Sequence, residues 1–212
     1  QRIPRLVRWI VSVLLLFLLL MTLGRFIIFW KFNPPGKAFS GSAFIMGLRF
    51  DARVVCVIGL LMLLLCAIPY INPFKNSRAK TFWNILLPVL FLLMLLVLAI
   101  DYYHFDYLHQ RLNATVLNYL QDAGISFSMM WQSYPLPWIG LALILAFLLG
   151  RLLFSRLLAR YMEQESFYKR KARLLYVLTF LVLGGFIFGK IGQFPLRWSD
   201  AFYSGNSQVG AL

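Results

Sequence analysis

The residues best placed to do chemistry lie in one short stretch, GLRFDAR at 47–53, directly ahead of the apolar run 54–68. On a helix Arg49 and Arg53 are four residues apart and share a face, whereas Asp51 points nearly opposite. Asp51 cannot neutralise either arginine within its own helix, so its partner must come from elsewhere in the protein, from water or from a bound ligand. Arg25, Lys31 and Arg111 are the candidate partners. Paired arginines suit phosphate, because each planar fork donates two hydrogen bonds to phosphate oxygens at once. Arg25, Arg49 and Arg53 therefore read as an anion site for a phosphate-bearing lipid. The plainer reading is that Arg49 and Arg53 snorkel to ordinary headgroups, as basic residues near helix ends do.

A second polar group falls in DYYHFDYLH at 101–109. Asp101 and His104 are three apart and can face each other on a helix. His104 and His109 are five apart, a poor spacing for a shared metal, so an interfacial hydrogen-bonded histidine is expected and no metal is assigned. His104 and Arg111 are grouped with the headgroup-binding residues. Asp101 and Asp106 join Asp51 as structural counter-charges.

The elements that must position these residues follow from composition. Of 212 residues, 61% are hydrophobic and only 13% charged, against about a quarter charged in a soluble domain. Several apolar runs reach the ~20 residues a helix needs to cross a bilayer. The expected fold is an all-α integral membrane protein with five transmembrane helices at about 6–30, 42–71, 82–100, 136–154 and 174–191. Pro88 is expected to kink the third. The segment 101–135 carries Leu108, Leu112, Val116 and Leu120 at four-residue spacing with an aromatic belt of Tyr102, Tyr103, Tyr107, Trp131 and Tyr134. It is expected to form an interfacial helix on the outer surface. The membrane domain then spans 1–194, and 195–212 is an exit linker.

Loop charge orients the chain. Arg2, Arg5 and Arg8, then Lys75, Arg78 and Lys80, then Arg156, Arg160, Lys169, Arg170, Lys171 and Arg173 all fall on one side, which reads as cytoplasmic. The C-terminus is then outside after five crossings. The net charge of +14 belongs to these loops, and nucleic acid is not an expected partner. About 20 residues counted back from Ile71 place Arg53 near the outer boundary and Arg49 one turn above it, at the depth of lipid phosphates. Cys56 and Cys66, ten residues apart on one helix, cannot bond to each other. Gly185 and Gly189 have a small-xxx-small spacing that favours packing within the bundle. The chain begins at Gln1, so it reads as trimmed, and its first apolar run reads as a retained anchor, since it lacks a small-residue cleavage site. The sequence has no phosphate-binding glycine loop, no HExxH and no clustered carboxylates at mid-bilayer, which weighs against a pump or transporter.

Three stretches taken together carry a family resemblance: GLRFDAR, the segment YLHQRLN…YLQDAGISFSMMWQSYP, and the closing FPLRWSDAFYSGNSQVGAL. They resemble the N-terminal membrane domain of the lipoteichoic acid synthase-like family, phosphoglycerol-transferase-like enzymes of the sulfatase and alkaline phosphatase superfamily. The resemblance implies a protein of the bacterial cytoplasmic membrane whose membrane domain holds an anionic phospholipid donor. It also implies a following extracytoplasmic catalytic domain with a nucleophilic threonine and a divalent metal, often manganese. That domain would cleave the phosphatidylglycerol headgroup through a covalent phospho-enzyme. The chain stops at Leu212, ahead of such a domain, so by itself it is expected to catalyse nothing and to hold no cofactor. Arg49, Asp51 and Arg53 match the family's LRFD region. Arg197, Trp198 and Asp200 match its LRWSD exit segment, with Trp198 anchoring the interface and Arg197 and Asp200 fixing the pose of the outer domain. A linker without ligand contact is the stronger reading of that segment. Two alternatives stay open: a phosphoethanolamine transferase of the same superfamily, and a non-catalytic lipid sensor or scaffold.

Overall fold

The computed structural model describes residues 3–32, 41–108, 136–163 and 169–189. All regular structure among them is helical: α1 (Arg5–Phe32), α2 (Gly41–Ala67), α3 (Ser77–Leu108), α4 (Leu136–Met162) and α5 (Lys169–Phe188). By length and composition α1 to α4 can each cross a membrane, while the apolar part of α5, Arg173–Phe188, is shorter. The five predicted spans thus correspond to five helices, four of them of membrane-crossing length. Of the predicted interfacial segment 101–135, residues 109–135 lie outside the described residues.

Helix α1 is the axis of the bundle. It packs against α2, α3 and α4, while α3 pairs with α4 and α2 with α5. Apolar side chains at Trp9, Ile10, Val13 and Phe17 recur at helical spacing and are fully buried. Trp9 meets the edges of Phe74 and Trp83 at ring separations of 5.9 and 5.6 Å, within the range in which aromatic pairs add to area burial. Phe17 meets Phe154 at 5.6 Å, and Phe154 in turn meets Phe91. Close approach needs small residues: Gly59 makes room for Leu14, and Gly150 lies against Phe91 and the Pro88 backbone. The outward ridge of α4, including Leu145, Leu148, Leu149 and Leu152, stays exposed. An apolar surface of that size is what a bilayer-crossing helix presents to lipid.

Helix boundaries depart from the apolar runs for identifiable reasons. α2 stops at Ala67 rather than near Ile71, because Asn72 takes over the backbone there: its amide donates to the Cys66 carbonyl at 2.8 Å and its Oδ1 accepts from Phe74 N. Asn76 then caps α3 by accepting from Arg78 N at 3.0 Å. α3 passes through Pro88 and continues to Leu108, so Asp101–Leu108 extends the third helix instead of opening an interfacial segment. Both Asp101 and Phe105 are buried, and Phe105 packs on Phe32 of α1 at 5.0 Å; the α1 contact carries α3 past its apolar run. α4 likewise continues to Met162, beyond the expected end at 154.

At the end of α5, Gly189 adopts a positive φ of 80° and donates its N–H to the Gly185 carbonyl. This is the left-handed helix cap that glycine adopts without a Cβ penalty. The packing role expected of Gly185 is not seen among the described residues, since a Cβ there would meet open space. The pair of glycines instead ends the helix.

Phe17→Ala removes a fully buried ring from the α1–α3–α4 junction, and is expected to cost about 3–5 kcal/mol. Thermal unfolding of the purified protein in detergent, compared with Leu148→Ala on the outward ridge, measures it.

Candidate functional site

Arg25 and Asp51 form a buried ion pair between α1 and α2. Arg25 Nη2 donates to Asp51 Oδ1 at 2.7 Å and Nε donates to Oδ2 at 3.2 Å. Both side chains are 7% exposed or less. Two parallel charge-assisted bonds make this the strong, orientation-specific form of an arginine–carboxylate contact. Arg25 is thereby placed with the counter-charge, behind the surface, rather than alongside Arg49 and Arg53 on a shared anion-binding face.

The pair depends on a residue that carries no side chain. A Cβ at Gly47 would fall on the Arg25 guanidinium. Gly47 lies one helical turn before Asp51, on the same face, so the arginine crosses a bare strip of α2 to reach its carboxylate. Gly47 was not among the residues singled out from the sequence. The signal was present as a glycine at i−4 from a buried acid.

With Asp51 held from the α1 side, the remaining arginines of the stretch separate by environment. Arg49 is exposed and pairs with no carboxylate among the described residues. Arg53 is half-buried and engaged. The early end of α2 also revises their depth. About 20 residues counted back from Ala67 reach Leu48 rather than Asp51, which puts Arg49 at the boundary of an apolar layer and Arg53 one turn inside it.

A second polar contact ties α1 to α3 at the same end. Lys31 donates to the Tyr102 hydroxyl and lies 3.7 Å from Asp106. Its Nζ also lies 4.8 Å from the centre of the Tyr102 ring. Lys31 and Asp106 are each about half exposed, so water screens the ion pair and it adds little to stability. Asp101 is buried and engaged, and His104 is half-buried and engaged. No group of three or more His, Cys, Asp or Glu among the described residues could hold a metal. Arg111, Arg197, Trp198 and Asp200 lie outside the described residues.

Asp51→Asn removes the carboxylate charge that Arg25 engages through two hydrogen bonds and is expected to cost about 3–5 kcal/mol, whereas Arg25→Met with Asp51→Leu is expected to be far milder. Gly47→Ala should destabilise the parent protein strongly and cost little in an R25A/D51A background. Unfolding midpoints of the five variants, the R25A/D51A background included, decide both statements, through the coupling that a double-mutant cycle reports.

Against known proteins, the chain matches no family model, no curated protein and no solved structure.

Proposed function

We propose that this chain is the membrane domain of a lipid-headgroup phosphotransferase of the phosphoglycerol-transferase type, holding an anionic phospholipid donor at the outer leaflet. One observation supports it above the others. Arg49 is exposed in the first half of α2, one turn from Arg53, while the only acid within the stretch is turned away and occupied by Arg25. A guanidinium at the boundary of an apolar layer, with its nearby carboxylate already taken, is matched by a phosphate oxygen.

The charge distribution supports the orientation that this reading needs. Arg5, Arg8, Lys75, Arg78, Lys80, Arg156, Arg160 and Arg173 fall at the end of the bundle where α1 begins. The Arg25–Asp51 and Lys31–Asp106 pairs lie at the opposite end. A basic end is the cytoplasmic one in a bacterial inner-membrane protein. Arg49 and Arg53 then face outward, the N-terminus is inside and the C-terminal residues are outside. The catalytic chemistry, a threonine nucleophile with a divalent metal such as manganese, would belong to an extracytoplasmic domain that the exit segment with Arg197, Trp198 and Asp200 leads into.

Replacing both arginines (R49Q/R53Q) is expected to weaken binding of phosphatidylglycerol by about tenfold, the loss of roughly one charge-assisted contact, and to leave phosphatidylcholine unaffected. Lipid titration in nanodiscs measures this. Unchanged phosphatidylglycerol affinity would refute the headgroup site. A single cysteine introduced at Lys75 in a chain with Cys56 and Cys66 replaced by serine should react with an impermeant maleimide from the cytoplasmic side alone.

A further inference from the structure

A different guanidinium, at the basic end, has no counter-charge among the described residues. Arg8 is half-buried, its Nε–H is buried without an acceptor, and it pairs with no carboxylate among the described residues. The surrounding charges do not compensate it. Glu163 is the only described acid at this end, against Arg5, Lys75, Arg78, Lys80, Arg156, Arg160 and Arg173. Neighbouring Arg5 is differently engaged: it is stacked over Phe74 at 5.0 Å with an Nη2 near the Phe74 carbonyl. A charge partly withdrawn from water and lacking a partner is costly, and an anion relieves that cost.

Arg8 is also held in place. Its guanidinium lies over the Tyr161 ring of α4, 5.8 Å from the centroid. Tyr161 is fixed in turn by a 2.6 Å hydrogen bond between its hydroxyl and that of Ser12, one turn along α1 from Arg8. A guanidinium stacked on an immobilised ring presents a planar fork whose orientation is set before any ligand arrives.

What lies next to that fork selects the ligand. Val11, Leu15 and Leu19 are all exposed, at 42%, 59% and 55%. At three, seven and eleven residues from Arg8 they continue the same face of α1. The arginine therefore heads an open apolar ridge at least two turns long. A soluble phosphate would use the arginine and ignore the ridge; a phospholipid uses both, its phosphate on the fork and an acyl chain along the side chains below.

We propose that Arg8, backed by Tyr161 and Ser12, binds the phosphate of an anionic phospholipid in the leaflet bordering the basic end, with an acyl chain along Val11, Leu15 and Leu19. This site is separate from the Arg49 and Arg53 region, lies at the other end of the bundle, and does not depend on the transferase reading.

Native mass spectrometry of the full chain, released from nanodiscs of phosphatidylcholine and phosphatidylglycerol, tests it. The R49Q/R53Q background keeps the two sites distinguishable. Arg8→Gln is expected to reduce retained phosphatidylglycerol about tenfold with phosphatidylcholine unchanged. Ser12→Ala leaves every charge in place and releases only the ring, so a partial loss of about threefold is expected. Equal retention in the parent, R8Q and S12A proteins overturns the proposal. Loss in R8Q accompanied by displacement of phosphatidylglycerol by millimolar inorganic phosphate also overturns it, by assigning the site to a soluble phosphate. Should R8Q fail to fold, Arg8→Lys keeps the charge but removes the fork, and undiminished retention there is equally fatal.

Discussion

The ion pair between Arg25 and Asp51 constrains this bundle more tightly than any apolar contact. Dispersion and burial tolerate small slides of one helix along another, because the same ridges find new grooves. A bidentate guanidinium–carboxylate pair that is almost wholly enclosed tolerates neither slide nor rotation, since a displaced charge would be left unmatched in apolar surroundings. The pair thereby sets the register of α1 against α2. Gly47 is a condition of the same contact, because the arginine occupies the space a side chain would take. The occupation of Asp51 also leaves the exposed Arg49 of its own helix with no carboxylate partner among the described residues.

The two ends of α1 are held by different physics. At its start, rings do most of the work: Trp9 between Phe74 and Trp83, with the Trp83 indole donating to the Ile71 carbonyl at 2.8 Å. At its far end, charge and hydroxyl groups take over, through Asp51 on one side and Tyr102 with Asp106 on the other. Elsewhere some hydroxyls are satisfied by their own helices, as Thr22 is by the Leu18 carbonyl and Thr179 of α5 by that of Leu175, while that of Ser12 crosses to Tyr161. Such local bonding removes the cost of a polar group in an apolar layer without tying helices together. Fixation at two ends and smooth packing between them makes α1 a strut that its neighbours share.

Much of this was legible in the sequence, and the remainder failed for physical reasons. The turn of about 100° per residue required Asp51 to find a partner off its own helix, and Arg25 was among the three named. Choosing among them needed depth: Arg25 lies about 20 residues from the start of α1, and Asp51 a similar count from the turn after α2, so both reach one level. Helix ends were less legible, because hydropathy marks the apolar layer and not the helix. Phe105 continues α3 beyond its apolar run through a contact with Phe32, and Asn72 ends α2 early through a contact with Cys66. Neither contact leaves a trace in local composition. Gly185 misled for a related reason, since a glycine four residues from another glycine has the same spacing whether it admits a helix or ends one. The shelf under Arg8 was invisible because Tyr161 lies about 150 residues away along the chain.

Three arginines of similar local sequence setting therefore occupy three distinct states. Arg25 is neutralised within the protein, Arg49 is exposed at the boundary of an apolar layer, and Arg8 is half-withdrawn and flattened on a ring. An internal pair has little to offer a ligand, because any anion approaching Arg25 would have to displace a carboxylate already bonded through two hydrogens. An exposed arginine attracts anions but selects weakly, since its side chain is mobile and water competes for every donor. Selectivity needs the intermediate state, in which the donor is oriented and partly desolvated yet its charge is unmet. Among these three, Arg8 comes nearest to that state. Arg49 would reach it only with a further surface closing over it.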